Sequence, residues 1–126
     1  MTENEISAQV LDAAITVHRT LGGPGVLESY YEAALAHELR LRGLKVETQK
    51  PVPMIYKGVS IGDPYRLDML VEDKVIIECK ATEKNNQLFC AQVLTYLRLT
   101  NIKLGIVINF GLEKIKDGYV RVANGL

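Results

Sequence analysis

The chain has 126 residues, 48% hydrophobic and 24% charged, with 15 lysines and arginines against 15 aspartates and glutamates. This length suits one domain that hides roughly two-thirds of its unfolded surface, and the composition excludes a disordered chain, a collagen-like chain and a disulfide framework. A formal net charge of zero excludes a generally cationic molecule, so an anionic partner must be held by a local basic patch.

Residues 5–20 predict a helix, because Ile6, Val10, Ala13, Val17 and Leu21 recur at three- and four-residue steps. Gly22-Gly23-Pro24-Gly25 ends it. A second helix is predicted from Val26 to Arg42, with Gly43 as its C-terminal cap. The period then becomes two. Leu44–Gln49 and Val52–Tyr56 read as strands separated by Lys50-Pro51, with a turn at Lys57-Gly58 and a short return over Val59–Ile61. Tyr65–Glu72 and Val75–Lys80 are clearer strands. Asn85–Thr100 returns to helical spacing, with Asn85 or Asn86 as its cap. Lys103–Phe110 is a nearly continuous apolar run, suited to a strand covered on both faces. In the tail, Leu112–Ala123, Asp117-Gly118 between two β-like runs predicts a hairpin. The expected order is α-α-β-β-β-β-α-β plus a C-terminal hairpin. That is an α/β (α+β) domain over residues 1–126, a mixed sheet flanked by helices. No apolar run approaches the roughly 20 residues of a membrane helix. Cys79 and Cys90, with no secretory segment ahead of them, read as reduced thiols of a cytoplasmic protein.

The chemistry concentrates between Tyr65 and Lys80. Asp68 interrupts one apolar strand. Glu78 and Lys80, two apart in the next, share a face with Ile76. Charges inside the strands of a small core are costly unless paired or bound to a metal. Register decides whether Asp68 joins them. A two-residue turn at Asp73-Lys74 puts Asp68 opposite Cys79, on the wrong face. A three-residue loop, Glu72-Asp73-Lys74, or a bulge, pairs Val71 with Val75 and Asp68 with Glu78. Two neighbouring carboxylates repel, so a hard cation such as magnesium or manganese fits between them. An adjacent ammonium can then act on water or on an attacked phosphate. Solvated surface charge on the strands is the simpler alternative.

Asp68 followed by Glu78-Cys79-Lys80 resembles the PD-(D/E)XK nuclease superfamily, with Leu67 where the name expects proline. Gln92-Val-Leu-Thr-Tyr96 is similar to the Q-x-x-x-Y signature of its RecB-type branch. Gly25-Val-Leu-Glu28-Ser-Tyr-Tyr31 matches the motif of the GxxExxY protein family, a small bacterial group assigned to that superfamily. The resemblance implies a restriction-endonuclease-like core with a metal site at one edge of the sheet. It implies Asp68, Glu78, Lys80 and Glu28 as catalytic, and Asp68, Glu78, Glu28 and the backbone carbonyl of Cys79 as ligands of magnesium or manganese. Gln92, Tyr96, Arg66 and Tyr31 would meet or support the substrate, nucleic acid with DNA before RNA. A homo-oligomer or a partner protein is compatible with so small a core, as is an inactive nuclease-like binding module.

Each residue also has a plainer reading. Glu28 can be a capping carboxylate three residues after Gly25, although its spacing to Tyr31, Leu35 and Leu39 puts it on the buried stripe. Arg66 can simply pair with Asp68. His18 and His37 read as structural or surface residues, and the cysteines as small apolar ones. Lys45, Lys50, Lys57, Lys84, Arg40 and Arg42 are the candidates for a basic patch.

Overall fold

Two amphipathic helices precede every strand. In the computed structural model, which describes residues 1–126, α1 spans Glu3–Thr20 and α2 spans Glu28–Leu41. A reciprocal capping box of Thr2 and Glu5 starts α1. Its inward stripe of Ile6, Val10, Ala13 and Val17 is buried. At the end of α2 the Leu44 N–H donates to the Leu39 carbonyl and the Gly43 N–H to that of Arg40. This Schellman arrangement needs the left-handed Gly43, at φ 83°.

The expected break at Lys50-Pro51 is absent. One strand, β1, runs through it over Val46–Val52. Proline is tolerated because β1 lies at the sheet edge, where a missing N–H leaves no ladder bond unmade. β2 (Ile55–Tyr56) and β3 (Val59–Ser60) form a separate exposed hairpin around Lys57 and Gly58, both at positive φ. β4 (Tyr65–Val71), β5 (Val75–Lys80), α3 (Gln87–Thr100), β6 (Leu104–Asn109), a one-turn α4 (Ile115–Gly118) and β7 (Tyr119–Ala123) follow. The main sheet has the order β1-β4-β5-β6-β7, with β5 and β6 parallel and the other pairs antiparallel. The parallel pair is joined through α3. The tail does return antiparallel, but β7 pairs with β6, and Asp117-Gly118 lies in a helical turn, not at a hairpin tip.

The sheet is covered on both faces. Val75, Ile77 and Cys79 of β5 pack with α1 and α2, whereas Ile76 packs with Val93 and Leu97 of α3. Glu78 and Lys80 therefore share the α3 face with Ile76. β6 is buried along its whole length, as its apolar run predicts. His18 and His37 fill the expected minor roles. His18 is buried, with Nε2 3.2 Å and 3.0 Å from the carbonyls of Phe110 and Leu112, and His37 is exposed.

The end of β6 carries a polar knot that no sequence pattern announces. Asn109 is fully buried. Its Oδ1 accepts from the N–H groups of Thr82 and Gly111, both at 3.0 Å, and its Nδ2 donates to Thr82 Oγ1 and Asn85 Oδ1. Gly111 lies so close to Thr82 that an added Cβ would sit 2.3 Å from its carbonyl oxygen. This knot anchors the segment between Lys80 and α3. Asn109→Leu removes all four side-chain hydrogen bonds of the knot and leaves the part-buried N–H groups of Thr82 and Gly111 without their acceptor, at about 1 kcal/mol each. We expect it to lower the urea unfolding midpoint by an amount equivalent to at least about 2 kcal/mol; an unchanged midpoint would assign those N–H groups to water.

Candidate active site

The turn between β4 and β5 sets the geometry. Glu72 and Asp73 both adopt left-handed backbone, φ 52° and 57°, and the Lys74 N–H donates to the Val71 carbonyl at 3.0 Å. The ladder then resumes with Val71 opposite Val75, so Lys74 is the extra residue. Neither left-handed residue is glycine. Lys45 holds Glu72 on two sides, its carbonyl accepting from the Glu72 N–H at 2.9 Å and its N–H donating to Glu72 Oε2 at 2.7 Å. The offset is the odd one that brings Asp68 level with Glu78.

The two carboxylates meet across the strands. The last regular pair is Met69 with Ile77. Beyond it, side chains replace the backbone ladder: the Cys79 N–H donates to Asp68 Oδ2 at 2.8 Å, and the Asp68 N–H to Glu78 Oε2 at 3.4 Å. Glu78 is only 2% exposed, and its Oε1 is buried with no partner. Its carboxyl is pushed up to about 9, first by burial and then by the Asp68 charge, with Lys80 opposing. Lys80 is half-buried and leans on α3, its Nζ 5.0 Å from the centre of the Phe89 ring. A cleft of about 610 Å³ opens beside it, lined by Phe89 and the loop from Thr82 to Gln87.

A partnerless buried carboxylate oxygen on the central strand, beside a second carboxylate, fits a hard cation. Asp68 and Glu78 would hold it. No three acidic, histidine or cysteine side chains already converge on one point. Glu28 departs from its expected place. The left-handed Gly25, φ 111°, stays in the loop, and Leu27 becomes the N-cap of α2. Glu28 is thereby the first helical residue, exposed, and not on the buried stripe.

The supporting residues divide. Tyr96 stacks on Tyr65, with ring centres 4.1 Å apart and planes at 14°. Burial, and next the Glu78 charge, raise the Tyr65 hydroxyl well above the usual tyrosine range. Tyr96 thus braces the start of β4 beside the carboxylates. Gln92 is exposed on α3, one turn beyond Phe89. Arg66 does not pair with Asp68. It is exposed, and its guanidinium lies 3.5 Å from the Gln49 carbonyl, because the strand's alternation breaks between them. Tyr31 is a core residue. Its hydroxyl donates to the Gly23 carbonyl at 2.6 Å and accepts from the Val26 N–H, and its ring stacks on Phe110. It clamps the loop ahead of Glu28 and is too deeply buried to touch a substrate.

The basic patch does not form as expected, because acids lie along the same edges. Lys45 pairs with Asp73, Lys50 with Glu47, and Arg42 with Asp12 and Glu38. Arg40 donates to the Val46 carbonyl. Lys57 and Lys84 have no acidic partner. Sequence reasoning missed Glu32, which lies four residues after Glu28 on the same helical face, a spacing that signals it. Burial raises its carboxyl, and the Asp68 and Glu28 charges add to this against a hydrogen bond from Gln49.

A raised folded-state value means the native state holds the Glu78 proton more tightly than the unfolded chain does. Its contribution to stability is complete below the ordinary carboxylate value near 4.5 and declines as pH rises toward about 9. In chelator, the urea midpoint should fall between pH 5 and pH 8, and Glu78→Gln should flatten that slope. Equal slopes in the two proteins would mean that Glu78 is ionised in the fold.

The family model of the PD-(D/E)XK nuclease superfamily matches residues 4–122. No curated protein matches the chain. A solved structure titled "Crystal structure of SSO0001" is similar over 96% of this chain and 79% of its own, at 15% identity and a TM-score of 0.48.

Proposed function

This chain belongs to the PD-(D/E)XK nuclease superfamily, and on that premise we propose that it hydrolyses phosphodiester bonds of nucleic acid, DNA before RNA, as a metal-dependent nuclease. The observation that carries the reading is the meeting of Asp68 with buried Glu78, and Lys80 two residues further along the same face. The narrower assignment, to the GxxExxY group with a RecB-type helix, rests on Gly25, Glu28, Tyr31, Gln92 and Tyr96. No helix is long and apolar enough to cross a membrane. A cytoplasmic site of action is part of the proposal and rests on the free thiols of Cys79 and Cys90.

Asp68, Glu78 and the Cys79 carbonyl would hold magnesium or manganese, which supplies charge to polarise a phosphate and to acidify water. Glu78 would hold the ion as its carboxylate, so the burial that favours its proton would make binding stronger at higher pH. Lys80, held against Phe89, offsets the negative charge that grows on the attacked phosphate. Glu28 is assigned an outer contact through water. Gln92 and Arg66, both exposed, are assigned contacts to the phosphate backbone. Tyr96 keeps Tyr65 and the start of β4 in place.

If Lys80 acts mainly in the transition state, Lys80→Ala cuts single-turnover cleavage of a labelled oligonucleotide by about 10²-fold or more. Binding of that oligonucleotide in calcium falls only modestly, as for one lost cationic contact. Lys80→Arg does not rescue, since a guanidinium is bulkier and its planar fork cannot put a point charge where the ammonium stands. Wild-type binding in calcium without cleavage in magnesium or manganese would turn the reading to a binding module.

The ion should also stabilise the fold by mass action. Manganese is expected to raise the melting temperature of the wild type, and Asp68→Ala to lose most of that rise. An equal rise in both proteins would place the ion elsewhere.

A further inference from the structure

We propose that Gln49 is a positioning residue: its left-handed backbone, pinned by Glu32, aims the Asp68 carboxylate along the plane of the sheet. The functional weight of this rests on reading Asp68 as a metal-holding carboxylate, but the geometry is independent of it.

In a regular strand, side chains stand perpendicular to the sheet and residues two apart share a face. A carboxylate so placed does not reach the main chain of the neighbouring strand. Asp68 does reach it, accepting from the Cys79 N–H at 2.8 Å. The cause lies in β1. Thr48 pairs with Met69 and Lys50 with Leu67, yet the pair between them, Gln49 with Asp68, is missing from the ladder. Gln49 is at φ 54°, a region a non-glycine residue rarely occupies and one that collects at functional sites.

Both strands change face there. Met69 packs with α1 and α2, but Leu67, two residues before it, packs on the α3 side. Val46 and Val52, at the two ends of β1, divide in the same way. The register is the same on either side, so no residue has been inserted; the two strands twist together about Gln49 and Asp68. Gln49 Nε2 donates to Glu32 Oε1 at 2.7 Å, and the Arg66 guanidinium lies 3.5 Å from its carbonyl. Both contacts hold the inverted backbone. They also give Glu32, a half-buried carboxylate beside the site, a positioning role through Gln49 in place of a ligand's.

The test contrasts Gln49→Val with Gln49→Gly. Both lose the bond to Glu32, but only glycine adopts this φ freely, whereas a β-branched residue resists it. The chain has two cysteines, so selective ¹⁵N-cysteine labelling yields two amide signals, and Cys90→Ser assigns them. The Cys79 amide proton, moved downfield by its carboxylate acceptor, should shift in Gln49→Val to where Asp68→Ala puts it, and stay in place in Gln49→Gly. Manganese affinity by calorimetry should fall about tenfold or more in the valine variant, the scale of a lost supporting contact, and less than threefold in the glycine variant. Urea midpoints measured alongside separate this from general destabilisation. If the valine variant does not fold, Glu32→Ala gives the same reading through loss of the pin, as a smaller shift in the same direction. An unmoved Cys79 amide in the folded valine variant, or in Glu32→Ala where that stands in for it, overturns the proposal. If the amide moves while the wild type takes up no manganese and cleaves nothing, the positioning role stands and the nuclease reading falls.

Discussion

A carboxyl group buried in the central part of a sheet is the constraint on which this molecule turns. Glu78 sits on β5, between β4 and β6, 2% exposed and with one oxygen unpartnered. Burial of such a group penalises its charged form. The surroundings answer with a proton held up to about 9, with the Asp68 N–H as its single hydrogen-bond donor, and with Lys80 on the same face. An apolar side chain there would pack against Ile76 and α3 at no such cost.

The parts around Glu78 serve to hold strand ends still. The turn at Glu72-Asp73 sets the register, and Lys45 braces it. Asn109, aligned with Lys80 across the parallel pair, ties the segment after β5 to the segment after β6 through four hydrogen bonds. Tyr96 on Tyr65 does the same at the start of β4. Each contact joins elements distant in sequence. Together they let two acidic strand residues keep one geometry where the backbone ladder has given way to side chains.

The surface is quieter than the site. Three of the six basic residues that could have formed a patch, Lys45, Lys50 and Arg42, pair with acids, as a net charge of zero leads one to expect. On the proposed reading, grip on a polyanion would therefore come from a few cations without an acidic partner, Lys80, Arg66 and Lys84, with modest dependence on salt.

Sequence by itself determined the two amphipathic helices, the buried run of β6, the Gly43 cap and the shared face of Glu78 and Lys80. All of these follow from short-range periodicity and backbone chemistry. It narrowed the meeting of Asp68 and Glu78 to a choice between two loop lengths. Tertiary structure made that choice, because Glu72 tolerates a left-handed backbone only with Lys45, just ahead of β1, holding it. Tertiary structure alone also moved Glu28 to the surface and turned Arg66 away from Asp68. The inverted pair of Gln49 and Asp68, the Glu32 contact and the Asn109 knot are invisible to periodicity. Each depends on partners brought together from distant parts of the chain, and no local pattern records which polar side chain will find its hydrogen bond across the fold.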